Sequence, residues 1–469
     1  MGPAVRNITS GPSMEILPEA KLEQANKLLG GLVLSDESVR KIREIFIDEI
    51  NTGLDIHSEK KSCLQMANTY VPQLPDGSEE GEYLALDLGG TNFRVILLEL
   101  NNGRQTKEIV KFYHIPDSLR LGTGVDLFDY LAECLHQFLE EHERLQDKFT
   151  VGFTFSFPMY QRSLSCGILV AWTKSFNCSG TVGEDAVQLL NNAIKKRGDL
   201  NLEVTAILND TTGTLVQGAY LDKSTGIGLI LGTGSNACYI EKADKVLSWE
   251  GERPADVSEV IIDLESGAFG DNGVLDFIKT EFDIQVDNNS LLVNSFTFEK
   301  YIAGKYLGEL VRVILVRLHE EKLLFTGELP PKLLTKNTFT TRYVSFIEED
   351  SINNKTENTK AILEEMEVDF DLEDVAVVKH VCFLATNRAA KLVSICLAYL
   401  LERMDRDNLV TIAVDGSLFQ FHPRLRSLME TYIHSYAPKR KFALMMAEDG
   451  SGKGAVMVTA IASKLKQKK

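Results

Sequence analysis

Apolar residues recur at helical spacing after Ser35, at Val39, Ile42, Ile45, Phe46 and Ile50, which predicts an amphipathic helix with Ser35 as its cap. Pro72, Pro75, Gly77 and Gly81 stand among acidic residues over 71–82 and predict a connection. The stretch 83–100 is apolar on both sides of Gly89-Gly90 and reads as a β-hairpin. A second amphipathic helix fits 125–142 through Leu127, Phe128, Leu131, Leu135 and Phe138. Over 149–157 the alternation is strict. Phe149, Val151, Phe153, Phe155 and Phe157 take one parity; Thr150, Gly152, Thr154 and Ser156 take the other. That pattern predicts a strand with one apolar face, stopped by Pro158.

Further strands are predicted at 203–208, 227–231, 237–241 and 409–414, with helices over 297–323, 375–404 and from 454 onward. Residues 347–374 are acidic and polar and are expected on the surface. The Gly/Pro/Ser-rich residues 1–14 are expected to form a disordered tail. Strands alternating with helices imply an α/β fold.

Two of the apolar runs end alike. Residues 84–95 read Leu-Ala-Leu-Asp-Leu-Gly-Gly-Thr-Asn-Phe-Arg-Val, and residues 228–236 read Gly-Leu-Ile-Leu-Gly-Thr-Gly-Ser-Asn. Each enters a Gly-rich turn, so two related halves are implied. Between them, Ile207-Leu208-Asn209-Asp210-Thr211 sets a carboxylate just past another apolar run. Glycine lets a ligand approach the backbone, and successive amides form an anion-binding concavity. Two such turns flanking a lone carboxylate fit a phosphate held from both sides while the acid receives a proton. That is the outline of a phosphotransferase.

Each piece also has a plainer reading. Asp87 to Arg94 fits a tight hairpin whose Gly-Gly supplies positive φ. Thr91, Asn92 and Arg94 count against that reading alone, because they place two neutral hydrogen-bonders and a cation beside the amides. Asp87 is placed to orient magnesium-bound water. Gly232 to Asn236 repeats the architecture without a charge. Asp210 fits either a cap for a helix begun by Thr211, Thr212 and Gly213, or an acceptor for the proton of an attacking hydroxyl. Lys174, in Trp172-Thr173-Lys174, fits either a solvated surface lysine or a charge beside a polyol bound through Ser156 and Thr173. Spacing leaves both open. Glu448 to Gly454 does not match a phosphate-binding P-loop, which needs four residues between its glycines and Ser or Thr after the lysine. Gly450 and Gly452 are expected instead to open the last helix and let a nucleotide lie close to the backbone.

Composition bounds these readings. At 469 residues the chain predicts two or three domains. Fifty basic residues against 67 acidic ones give −17, which argues against nucleic acid or an anionic membrane as the main partner. The seven cysteines are scattered, with no CxxC pair, and read as reduced thiols. No apolar run approaches the ~20 residues that span a bilayer, and Asn7-Ile8-Thr9 lacks a secretory signal to make it a glycosylation site. A cytoplasmic location is expected.

Together these residues closely resemble the hexokinase family, the ATP-dependent hexose kinases of the actin-like ATPase superfamily, over residues 20–465. The resemblance implies a ribonuclease-H-like duplication: two lobes, each on a mixed five-stranded sheet flanked by helices, closing over a deep cleft. An N-terminal helical segment of the large lobe would span 15–71, and the rest of that lobe 213–453. The small lobe would span 72–212 and take in the C-terminal helix 454–469. Asp87, Gly89, Gly90, Thr91, Asn92 and Arg94 resemble the first phosphate motif, and Gly232 and Thr233 the second. Asp415, Gly416 and Ser417 resemble the adenosine motif, with Ser451 and Gly452 in the turn beside it. Ser156, Thr173 and Lys174 resemble the sugar-binding segment, and Asn209 and Asp210 a sugar ligand and the catalytic base. Asn236, Glu265 and Glu299 resemble the groups that hydrogen-bond sugar hydroxyls from the large lobe. Vicinal hydroxyls donate in pairs to a carboxylate, which suits that set. Ser266 stands where the family usually has Trp; packing behind the sugar and substrate preference are the properties this bears on. The length corresponds to one catalytic unit.

The resemblance implies transfer of the ATP γ-phosphoryl group to the 6-hydroxyl of glucose and other hexoses, the first step of glycolysis. Asp210 would take the proton, while Thr233, Lys174 and magnesium stabilise the transferring group and Arg94 assists. The Mg2+ would arrive on the nucleotide, with Asp87 and Asp210 reaching it through water. Two other classes compete. A non-catalytic glucose sensor would be expected to have lost a catalytic or phosphate residue, and an actin-like filament protein would need no polyol-binding set.

Overall fold

The computed structural model describes residues 10–89, 92–249 and 257–467. In chain order its strands are β1 (Ala67–Asn68), β2 (Gly81–Leu88), β3 (Asn92–Asn101), β4 (Arg104–His114), β5 (Phe149–Phe155), β6 (Met159–Ser163) and β7 (Cys166–Leu169). They continue with β8 (Leu202–Leu208), β9 (Thr225–Leu231), β10 (Ser235–Lys242), β11 (Glu259–Asp263), β12 (Val410–Asp415) and β13 (Phe442–Met446). One sheet has the order β4-β3-β2-β5-β8 and the other β1-β11-β10-β9-β12-β13, with β6 and β7 forming a separate hairpin.

Without the two-residue β1, the sheets share one plan. In each, three strands meander antiparallel and two more add in parallel: β2, β5 and β8 run together in one, β9, β12 and β13 in the other. The β2–β3 turn thus corresponds to the β9–β10 turn, and the end of β8 to the end of β13. A helix follows each of those last two ends, Asp210–Leu221 and Gly450–Gln467. These helices pack on each other between the sheets. They touch through paired glycines: a Cβ at Gly454 would lie 2.0 Å from the Gly213 carbonyl oxygen. The duplication read from the two glycine turns is therefore a duplication of whole sheets.

Most predicted elements form. Ser35 caps the helix Asp36–Leu54 by accepting from the Ser38 amide, and the helix predicted at 125–142 spans Gly124–Glu141. Five expectations change. First, β5 has no solvent face: its phenylalanines enter the small-lobe core, while Gly152 lies against Ala455 and Thr459 of the C-terminal helix and Thr154 Oγ1 donates to Ser451 O at 2.9 Å. The small residues are a seat for that helix. Second, that helix starts at Gly450, as its glycines predict and ahead of the start at 454 that periodicity gives. Third, the helix at Asp210, whose first residues are expected in the small lobe, packs on β9 and β12 of the large-lobe sheet as well as on the C-terminal helix.

Fourth, residues 347–374 form helices Thr341–Asn353 and Glu357–Glu365 with buried inner faces. Glu348 is fully buried and ion-paired to buried Arg424, which makes acidity a poor guide to exposure there. Fifth, residues 10–14 pack on the large lobe: Met14 joins its helical core and Ser10 O accepts from Arg424. The rest of the expected tail lies outside the described residues. The long helix Leu372–Met404 is apolar enough by length and composition to cross a membrane, contrary to the run-length reading, but its apolar window is mostly buried inside the protein. It also carries Arg388, bonded at 2.6 and 2.9 Å to Asp283.

Candidate active site

Strand β8 delivers the central acid. Asn209, just beyond it, accepts from the Thr211 amide at 3.0 Å and so caps the helix that follows. The cap is Asn209, which leaves Asp210 as the first helical residue, facing the space between the sheets. Lys174 Nζ donates to Asp210 Oδ2 at 3.1 Å. Lys174 and Ser175 both hold left-handed φ angles, +53° and +72°. An aromatic cluster fixes this loop. Trp172 stacks on Phe176 at 5.5 Å and meets Phe157 edge-on at 4.6 Å, and its Nε1 donates to Thr181 Oγ1 at 2.7 Å. Lys174 is no surface lysine. Burial by itself lowers its pKa, but the charges of Asp210, Glu299 and Asp87 outweigh that and hold it above the usual lysine value.

The large lobe supplies the facing groups. Ser235 N donates to Glu299 Oε2 at 3.0 Å, and a Cβ at Gly234 would meet that oxygen at 2.6 Å, so this glycine is what lets Glu299 reach the turn. Asn209 Nδ2 donates to Glu265 Oε1 at 3.2 Å. Glu265 itself is held at φ +51°. Burial, together with the charges of Asp263 and Asp210, keeps the Glu265 pKa well above the carboxylate norm, and burial also raises that of Glu299. Ser156, Thr173, Lys174, Asn209, Asp210, Asn236, Glu265 and Glu299 all line one small cavity. The eight predicted sugar residues are thus brought together from both lobes.

An adjoining cavity of about 500 Å³ shares Ser156, Lys174 and Asp210 with the first. Its other walls include Asp87, Gly89, Arg94, Gly232, Thr233, Asp415, Gly416, Ser417 and Ser451. The main chain crosses closely here: Gly416 has φ +126°, and a Cβ on it would lie 2.5 Å from the Leu231 carbonyl. Arg94 bonds to Asp87, to Asp449 Oδ1 at 2.7 Å and to Ser451 Oγ at 2.9 Å. It ties the first turn to the start of the last helix. Burial pushes the Asp415 pKa up to about 6, against the opposing charge of Arg94.

One prediction needs correction here. Gly452 does not line this cavity; a Cβ on it would strike Ile96 at 2.3 Å, so it is small to seat the helix on β3. Asp87 spends its Oδ2 on Arg94 and Ser451 Oγ, the latter at 2.7 Å. Gly90 and Thr91, and the Asn92 side chain, lie outside the described residues.

Sequence reasoning missed two groups. A cavity of about 600 Å³ continues from Gly232 and Thr233 past Lys305, Thr341, Arg342, Ser345 and Phe346 to Ser417 and Phe421. It exists because the predicted helix 297–323 is two helices, Thr297–Ile302 and Gly304–Glu320. The break turns the Gly304 and Lys305 amides onto the carbonyls of Gly232 and Thr233, at 2.8 and 3.1 Å. Gly304 was the available signal. The second is Asp263, buried at the end of β11, whose Oδ1 accepts from Asn236 Nδ2 at 2.8 Å. Like Asp87 and Asp415, it is an acid at the end of an apolar run.

Comparison with known proteins agrees with this arrangement. Two family models, each described as hexokinase, match residues 24–220 and 226–461. Hexokinase-1 of Mus musculus is 39% identical over 98% of this chain and 48% of its own length. Hexokinase-2 of Rattus norvegicus is 40% identical over 94% of this chain and 48% of its own. The chain spans about half the length of the curated relatives it matches. Among solved structures, a hexokinase from Schistosoma mansoni complexed with glucose superposes with a TM-score of 0.89 at 38% identity, covering 94% of this chain and 99% of that one. A second structure, named hexokinase, gives 0.78 at 30% identity over the same shares.

Proposed function

The chain belongs to the hexokinase family, and on that premise we propose that it transfers the γ-phosphoryl group of ATP to the 6-hydroxyl of glucose and related hexoses. The observation that carries this reading is the pair of joined cavities. One is lined by polyol-binding groups, the other by two glycine turns, and Ser156, Lys174 and Asp210 are common to both. A hydroxyl bound in the first therefore lies next to a phosphate bound in the second.

In this reading the hexose hydroxyls donate to Glu265 and Glu299, and the 6-hydroxyl donates to Asp210. Asp210 accepts its proton as the bond to phosphorus forms. The nucleotide's phosphates lie over the amides at Gly232–Gly234, its sugar beside Asp415–Ser417, and its base in the cavity by Thr341 and Phe346. Phosphoryl transfer has a loose transition state, so positioning and charge do most of the catalysis. Lys174 is built for that role. It is largely buried and charged, and its partner is the proton acceptor itself. Asp87 and Asp210 would hold the magnesium that accompanies the nucleotide, which would offset charge on the phosphates. Closure of the two sheets over the paired helices Asp210–Leu221 and Gly450–Gln467 excludes water that would otherwise hydrolyse ATP. A cytoplasmic location is proposed with it, supported by seven free cysteines.

The test is ADP release from magnesium-ATP with and without glucose, with Asp210→Ala measured alongside. Glucose-dependent turnover that disappears in the variant supports the kinase and its base. Glucose binding by calorimetry without turnover would instead support a sensor.

A further inference from the structure

Asp263 is a buried carboxylate that the proposed chemistry does not use. It ends β11, opposite Cys238 of β10 and Ala67 of β1. Besides Asn236 Nδ2 at 2.8 Å, its Oδ1 is within 3.4 Å of the Glu265 amide and of Thr211 Oγ1. Thr211 is also 3.0 Å from Asn209 Oδ1, so its single hydroxyl hydrogen is shared between two acceptors. The Asn236 amide has one orientation available. Its oxygen accepts from the Ala237 and Ser266 amides at 2.7 and 3.0 Å, which turns its nitrogen to Asp263 and Asn209. The Glu265 amide contact is the side chain of a residue bonding two residues ahead, and it braces a backbone that holds glutamate at φ +51°.

No cation pairs with Asp263 among the described residues. Around it stand Asp210 from the helix, Glu265 from its own loop and the Cys238 thiol from β10. β1 adds Ala67 and Asn68, neither ionisable. The nearby cations are Lys174, bonded to Asp210, and Lys305, which faces Glu299. We propose that Asp263 is a positioning residue for the hexose: it orients Asn236 and the Glu265 backbone, and its charge makes hexose affinity pH-dependent. This rests on the hexokinase reading.

Burial, helped by the charge of Asp210, pushes the Asp263 pKa up to about 7 against the three hydrogen bonds it accepts. As pH falls, Asp263 takes up a proton, and Asn236 and the Glu265 backbone lose the charge that orients them towards the sugar. An asparagine at 263 offers the same three donors an oxygen but no charge. Its lack of charge also removes one of the causes that raise the Glu265 pKa.

The experiment compares KM for glucose and kcat at pH 8, 7 and 6 for wild type, Asp263→Asn and Asp263→Ala. A single group titrating near 7 changes its ionised fraction about tenfold over two pH units, so wild-type KM is expected to rise up to about tenfold from pH 8 to 6. In Asp263→Asn it should stay within about twofold. In Asp263→Ala, loss of a charge-assisted acceptor raises KM at pH 8 by about tenfold or more while kcat falls less than about threefold. A flat wild-type profile, an Asp263→Asn slope equal to wild type, or an unchanged KM in Asp263→Ala overturns the proposal. If Asp263→Ala does not fold, the Asp263→Asn profile decides. Wild type without glucose-dependent turnover would count against the kinase reading alone, and calorimetric glucose affinity at the same pH values then carries the comparison.

Discussion

Lys174 Nζ lies 3.1 Å from Asp210 Oδ2, although the two residues are carried by different elements. Lys174 sits on a loop anchored in the small-lobe aromatic cluster, and Asp210 opens a helix packed on the large-lobe sheet. The pair therefore spans the joint and faces both cavities. A largely buried ammonium and its partner acid form a unit in which removal of either strands the other.

Asp210→Ala is expected to lower kcat about 10³-fold or more while glucose affinity changes less than about fivefold. ADP release and calorimetry on the same preparation check this. Turnover within about tenfold of wild type would remove Asp210 from the role of base.

Gly416→Ala separates the nucleotide side from the sugar side. Its φ of +126° and the 2.5 Å approach to the Leu231 carbonyl leave no room for a methyl group, since the obstacle is backbone. KM for ATP is expected to rise about tenfold or more, with a strain cost of roughly 1–3 kcal/mol. Glucose binding by calorimetry should be unchanged. At Gly232 the nearest atom to an added Cβ is Gly416 Cα at 3.2 Å, so Gly232→Ala is expected to be milder.

Arg94→Lys tests the guanidinium as a clamp. Three partners, Asp87, Asp449 and Ser451, share one planar group, and an ammonium cannot reproduce that geometry. The variant is expected to raise KM for ATP and to lose about 1–3 kcal/mol of stability. Hydrogen exchange should quicken first at the start of the helix Gly450–Gln467. Unchanged exchange there would show that the helix is held without Arg94.

His422 sets an acid limit on stability. The Arg424 amide donates to its Nδ1 at 3.3 Å, and its Nε2 lies 3.2 Å from Thr386 Oγ1. A proton on Nδ1 would oppose that amide, and burial with the Arg424 charge lowers the pKa to about 3 from 6.5. Since the folded value is depressed, stability present above about pH 6.5 is lost as pH falls towards 3, at about 1.4 kcal/mol per unit. Thermal unfolding from pH 7.5 to 5 should therefore show a steeper loss in wild type than in His422→Gln. Equal slopes would contradict it.

Much of the site was legible because it lies where local rules act. Gly89, Gly232 and Gly416 mark places where the chain must turn or approach closely, and Asp210 and Asp415 mark the ends of apolar runs. Strand and helix periodicity placed these turns at strand ends, while the family resemblance pointed to Asn236, Glu265 and Glu299 as sugar ligands. Ser35 announced its helix through chemistry confined to one turn.

What periodicity could not decide was which surfaces meet. Gly152 and Thr154 looked like a solvent face because the C-terminal helix that covers them lies some 300 residues along the chain, as the Thr154–Ser451 bond shows. Glu348 looked exposed because its partner Arg424 lies 76 residues further along the chain. Residues 297–323 looked like one helix because the carbonyls that divide it belong to Gly232 and Thr233. Asp263 gave an ambiguous signal, since an acid at a strand end is ordinary until burial removes its water and leaves Asn236, Thr211 and the Glu265 amide as its donors. The sequence by itself determined the elements, the turns and the inventory of reactive groups, because those follow from a few neighbouring residues. Only the tertiary structure decided burial, ion pairing and the joining of the two cavities. Those depend on desolvation and contact between segments far apart in the chain.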